Sequence, residues 1–221
     1  MKAGAAAFIV AGIGAGAGLA LMLPRPQPTT TTGDLEAAQD LDRIAPLLAL
    51  TDMNNDDTPQ ARQNVAAFLR AIRWAEGTAG PNGYRTLFGG QLFDGYADHP
   101  RQAKRFTDRA GRQLWTSAAG AYQFMAVSPI PGGGSTRVNT WDRLAAKLEL
   151  PDFSPSAQDA AAIELIREAG ALGLVKEGRF AEAVNRVRKI WASMPGAGYS
   201  QPEKSLDALF AQYIAAGGAQ A

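Results

Sequence analysis

Ala71-Ile-Arg-Trp-Ala-Glu-Gly-Thr78 closes an amphipathic helix that the sequence predicts from about Pro59. Val65, Phe68, Leu69 and Ile72 recur at helical spacing, so one face is apolar. Thr58-Pro59 supplies an N-cap and a proline at the first helical position. The single carboxylate of the stretch, Glu76, falls in the last turn, two residues after Trp74 and directly before Gly77. Anions are favoured at the opposite end of a helix, where the macrodipole is positive. A Glu at the C-terminal end beside an indole therefore has its charged form disfavoured. Such a group suits general-acid work near neutral pH, as in a glycosidase. The alternative is a surface Glu before a C-capping glycine, and the rest of the chain has to decide between them.

Composition limits the chemistry. The 221 residues are 46% hydrophobic, enough for a globular core. Net charge is +1, divided as −4 over residues 1–59 and +5 over 60–221. A charge of +5 spread over that length, with no basic stripe interleaved with aromatics, does not describe a nucleic-acid binder. There is no cysteine, which removes disulfides, thiolate metal sites and Cys nucleophiles. One histidine, His99, is too few for a zinc hydrolase, and no G-x-S-x-G elbow accompanies it. Carboxylate chemistry is left, with no metal and no cofactor assigned.

Three segments follow from the patterning. Residues 1–23 contain 21 uncharged positions from Ala3 to Leu23, dominated by Ala and Gly, with Lys2 before and Pro24-Arg25-Pro26 after. As a helix this run is about 30 Å long, the thickness of a bilayer core. It reads as a single N-terminal transmembrane helix, as a cleaved signal peptide, or as a marginal anchor able to leave the bilayer. Residues 24–58 combine a Pro/Thr-rich tether (PRPQPTTTTG) with a short acidic helix over Asp34 to Leu50, interrupted at Pro46. Residues 59–221 form the main domain. Within it, Tyr84 to Phe88 and Gln91 to Tyr96 are expected to be short strands around Gly89-Gly90, and Ser117 to Gln123 to open a helix.

Five segments in order, RWAEGT, FGGQLFDGYADHPR, SAAGAYQF, FSPSAQDA and IWASMPGAGYSQ, give the chain its resemblance. They resemble the lambda-type endolysin family of lysozyme-like lytic transglycosylases, over roughly residues 60 to 219. That resemblance implies an α+β, predominantly helical, lysozyme-like fold with a small β lobe. It implies cleavage of the β-1,4 bond between MurNAc and GlcNAc in peptidoglycan, without water, leaving 1,6-anhydro ends. It maps the catalytic acid/base onto Glu76, places Tyr122 and Gln123 along the sugar cleft, sets Tyr199 across from the acid, and makes Gln201 a further substrate-binding candidate.

Other residues carry weaker expectations. Asp98 and His99 are candidate sugar contacts in the inserted lobe, although for His99 the preferred reading is the structural one, capping a turn. Asp94 or Asp98 stands as a lysozyme-like second carboxylate should the reaction be hydrolytic. Gln158-Asp159, after the Ser154-Pro155 helix start, reads as structural. Ser128 to Asn139 looks like an inserted Gly/Pro loop, and the apolar N-terminus is an addition to the lambda-like pattern. The expected partners are peptidoglycan glycan strands and, through residues 3–23, a membrane, with a monomeric catalytic domain. The expected setting is a lysin tethered to the inner membrane and then periplasmic, with a virion-associated lysin or wall-opening structural protein as the alternative.

Overall fold

The computed structural model describes residues 32–51, 58–199 and 202–221; the expected membrane segment and Gln201 lie outside them. Among the described residues, no helix is long and apolar enough to cross a membrane.

Among the described residues, seven helices surround one core: α1 (Thr32–Thr51), α2 (Pro59–Glu76), α3 (Thr140–Leu148), α4 (Pro155–Glu168), α5 (Leu172–Lys176), α6 (Phe180–Val187) and α7 (Leu206–Ala215). Helix α2 is the axis, packed against α1, α4, α5 and α7. It starts as its sequence dictates, with Thr58 Oγ1 accepting the Ala61 N–H at 3.1 Å and Pro59 in the first turn. It ends at Gly77, whose φ of 75° is a left-handed cap open to glycine without strain. Val65, Phe68, Leu69 and Ile72 are all buried.

Pro46 does not interrupt α1, which runs through it to Thr51. Proline forfeits one ladder hydrogen bond, and here Ile44 and Leu48, both buried in the core, hold the helix on either side of it. The acidic helix read from sequence over Asp34 to Leu50 is packed onto α2 and α4.

The β lobe is displaced from its expected position. Strands β1 (Lys104–Thr107) and β2 (Gln113–Thr116) form an antiparallel pair with Arg105 opposite Trp115 and Phe106 opposite Leu114. This hairpin lies within Arg101 to Arg112 and the residues just after, a stretch with five cationic residues in its first twelve and no strand pattern in the sequence. Its turn is organised by Asp108, whose Oδ1 accepts the Ala110 and Arg112 N–H groups, before Gly111 at a φ of 78°. Tyr84 to Phe88 and Gln91 to Tyr96 instead form a 3-10 turn at Gly83–Arg85 and a single bridge between Thr86 and Leu92. Phe93, Phe124, Trp141 and Phe153 pack edge to face or tilted at 4.5–5.8 Å, and Trp141 ties α3 into this aromatic cluster.

Ser117 to Gln123 is a compact turn, not a helix. Ala119 pairs with both Leu87 and Phe124, and Gly120 lies at a φ of 78°. A Cβ on Gly120 would sit 2.2 Å from Gln158 Oε1, so the close approach of α4 demands glycine as well. Gln158 staples this region: its Oε1 accepts the Ala121 N–H, and its Nε2 donates to the Tyr84 and Phe153 carbonyls. The structural reading of Gln158 holds.

Candidate active site

Glu76 lies at the base of a cleft, 2% exposed. A cavity of about 170 Å³ there is lined by Thr78, Leu87, the Gly89-Gly90 turn, Gln123 and Lys204 as well as Glu76. Burial pushes the Glu76 carboxyl up to about 8, against a smaller opposing pull from the hydrogen bonds of Ser193. The Ser193 hydroxyl donates to Oε1, while Oε2 has no hydrogen-bond partner. A protonated carboxylic acid with one free oxygen on a polar cavity can hand over its proton there.

Ser193 is held by a rigid turn. Trp191, fully buried, donates its indole N–H to the Tyr122 carbonyl at 3.2 Å. Glu203 receives the N–H groups of Gly196 and Gly198, and the Lys204 N–H donates to the Ser193 carbonyl. Lys204 then extends over the Trp74 ring, its Nζ 4.8 Å from the centroid. Sequence reasoning missed Ser193 and Lys204. Ser193 lies inside the IWASMPGAGYSQ segment, but nothing in its type or spacing shows that it reaches an acid 117 positions earlier.

Gln123 lines the cavity. Its Nε2 donates to the Thr86 and Gly120 carbonyls at 3.1 and 2.9 Å, an arrangement that fixes which end of the amide is nitrogen. Its Oε1 is buried without a partner. The cavity therefore holds two unpaired oxygens, on Glu76 and Gln123, and buried polar atoms left open in this way call for a polar ligand.

Four of the other expected contacts stand elsewhere. Tyr122 is fully buried and its hydroxyl donates to Asp159 Oδ1 at 2.6 Å, so it is a core residue with no free group to offer a sugar. His99 is buried too: Nε2 donates to the Phe124 carbonyl at 2.9 Å, Nδ1 accepts the Arg101 N–H, and the ring packs edge-on to Phe153. Burial pushes its imidazole down to about 4, so it is neutral, and its structural role is the one observed. Asp98 is exposed, pairs with Arg101 and caps the His99 N–H, away from the cavity lining. Tyr199, half-buried, donates to the Lys189 carbonyl and is not part of that lining either. Asp94 is exposed and outside the cavity. Among the described residues Glu76 is the sole carboxylate lining it, and no group of three His, Cys, Asp or Glu residues could hold a metal ion.

The family model for Endolysin matches residues 66–220. The chain is 38% identical to the endolysin of Escherichia phage lambda over 158 residues, covering 69% of this chain and 90% of that protein. It is 40% identical to the endolysin of Escherichia phage P2 over 173 residues, covering 72% and 96% respectively. The structure of bacteriophage lambda lysozyme complexed with a chitohexasaccharide superimposes with a TM-score of 0.62 at 36% identity, over 72% of this chain and 97% of that one. A helical body, a two-stranded β lobe and a buried acid in the cleft define a lysozyme-like enzyme of the cell-wall lytic class. Within that class the chain belongs to the Endolysin family.

Proposed function

We propose that the chain cleaves the MurNAc-GlcNAc β-1,4 bond of peptidoglycan as a lytic transglycosylase, with Glu76 as both acid and base. The observation that carries this reading is the single buried carboxyl, held at about 8 with Oε2 unpaired, in a cavity lined by no other carboxylate among the described residues. Glu76 donates its proton to the glycosidic oxygen as the C1–O bond breaks, and the N-acetyl group of the substrate stabilises the cation. The Glu76 carboxylate, stabilised by the Ser193 hydroxyl, then takes the proton of the C6 hydroxyl as O6 bonds to C1. The acid is regenerated and no water is consumed. Gln123 Oε1 is the acceptor for a sugar hydroxyl or acetamido N–H.

A hydrolytic muramidase on the same fold is the second reading. It requires a group to activate water, and the exposed Asp94 and Asp98 are the carboxylates left for that task. Mass spectrometry of muropeptides released from purified peptidoglycan separates the two. Anhydro products, one water lighter, are expected; reducing ends would overturn the transglycosylase assignment. Glu76→Gln is expected to abolish turnover while glycan binding persists.

Delivery is proposed to rest on the apolar run 3–23, as a membrane segment that holds the enzyme at the inner membrane before it acts in the periplasm. Membrane fractionation of the full chain tests it, and an uncleaved product wholly in the soluble fraction from the outset would refute it.

A further inference from the structure

Helix α1 precedes the family match, which begins at residue 66. The phage relatives are covered nearly whole, while over a quarter of this chain lies outside the alignment. Asp40, Ile44 and Leu48 recur every four residues and share one buried stripe of α1. Two of the three are ordinary core residues; the first is a carboxylate where an apolar side chain would be expected.

Asp40 meets the Arg73 guanidinium, with Arg43 on its other oxygen and Arg70 at 3.7 Å. Arg43 continues the network across α1: its Nε donates to Asp159 at 3.1 Å and its Nη2 to the Tyr84 hydroxyl at 2.8 Å. Tyr84 and Tyr122 both donate to Asp159 Oδ1, at 2.7 and 2.6 Å, and Arg73 donates to Tyr84. Two helices outside α2 thus supply one carboxylate each, and α1 supplies both Asp40 and Arg43. Arg73 is buried and sits one turn before Glu76 on α2. Its carbonyl receives the Thr78 N–H at 2.8 Å. The Thr78 hydroxyl donates its one proton to the Ala121 carbonyl, in the turn that carries Gln123. The side chain of Arg73 is therefore gripped by α1 while its carbonyl holds the cap that follows Glu76.

We propose that Asp40 is a positioning residue for Glu76: by fixing Arg73 it sets the last turn of α2 and the Gly77-Thr78 cap, so a helix outside the family match governs the geometry of the acid. The inference rests on Glu76 being the acid in the reaction. Removing one member of a buried charged network leaves its partner uncompensated, which is far more disruptive than losing a surface pair. With Asp40 neutralised, the Arg73 side chain loses its partner on α1, and the cap that its carbonyl holds loosens and admits water. That change favours the ionised form of Glu76. The other polar groups facing Glu76 are the Ser193 hydroxyl and, across the cavity, Lys204 and Gln123.

The test is the Asp40→Asn variant of the full chain, compared with Leu48→Ala, which weakens α1 packing without touching the network. The Glu76 carboxyl is followed by carbon-13 NMR, assigned by its loss in Glu76→Gln. In Asp40→Asn the midpoint is expected to fall clearly from the native value toward the ordinary carboxylate range, and kcat to drop about tenfold with KM nearly unchanged. In Leu48→Ala the melting temperature should fall while the midpoint stays native. An unmoved midpoint in Asp40→Asn, or an equal movement in Leu48→Ala, would overturn the proposal. The midpoint is read on the carboxyl itself, so its failure is distinguishable from failure of the catalytic reading, which Glu76→Gln turnover decides.

Discussion

Glu76→Gln should make the protein more stable, and by an amount that grows with pH. In the fold the carboxyl titrates near 8, against an ordinary value of 4.5. Below pH 4.5 both folded and unfolded chains hold the proton, and the site contributes no pH dependence. Between 4.5 and 8 the unfolded chain releases it while the folded chain keeps it, so native stability falls as pH rises. Above 8 both states are ionised and the loss levels off. At about 1.4 kcal/mol for each pH unit of the interval, the native protein gives up roughly 4 to 5 kcal/mol by pH 8. Water entering by local opening would reduce this, so roughly 2 kcal/mol is a sensible floor. Glutamine has nearly the same shape, accepts from Ser193 as the acid does, and has no ionised form to desolvate. Urea unfolding of both proteins at pH 4.5 and pH 8 reads the difference directly, because every other carboxylate contributes equally to each. A gap between the proteins that is the same at both pH values would refute the reasoning.

Ser193→Ala removes the donor that favours the Glu76 carboxylate, so the basic limb of kcat/KM should move to higher pH and kcat should fall about tenfold; a pH-rate profile that keeps its native limb would count against the contact. Tyr122→Phe deletes the hydroxyl on Asp159 and should cost about 1 to 2 kcal/mol in denaturant unfolding, with chitooligosaccharide binding unchanged in calorimetry. His99 is held neutral with its imidazole pushed down to about 4. The unfolded chain takes a proton near 6.5 that the folded chain refuses, so the native protein should lose stability as pH falls from 6.5 to 4. His99→Phe should remove that slope in melting temperatures measured across the interval, without weakening glycan binding.

The helical skeleton is legible in the sequence because its signals are local. Thr58-Pro59, Ser154-Pro155 and Gly77 are caps that act within one turn, and each stands where its residue type requires. Glu76 is singled out only through RWAEGT and the four segments that share its resemblance, since its local position leaves a surface carboxylate open and the burial that raises its titration is tertiary. The hairpin is not legible, because Lys104 to Thr107 carries two cations in four residues and its stability comes from Phe106 packing on Phe88, 18 positions away. Motif alone points Tyr122 and His99 toward sugar, yet polar aromatics inside a motif are as easily buried partners; Asp159 and the Phe124 carbonyl decide the matter, and neither pairing has a sequence signature. Pro46 misleads in the opposite direction. A proline weakens a helix by a local rule, while Ile44 and Leu48 bind it by a tertiary one.

Holding the acid near 8 also bears on which reaction the site favours. A general acid is efficient when it is protonated at working pH, and a general base when its conjugate acid is weak; one group can do both in sequence when its titration lies close to the operating pH. At pH 7 a carboxyl titrating near 8 is mostly protonated, ready to donate. Once it has donated, the resulting carboxylate is a far stronger base than a solvent-exposed Glu, as the proposed removal of the C6 hydroxyl proton would require. A conventional hydrolase divides these tasks between two carboxylates. In the proposed reaction the burial that destabilises the folded protein would give Glu76 both roles, with the Ser193 hydroxyl keeping the ionised form from becoming prohibitively costly.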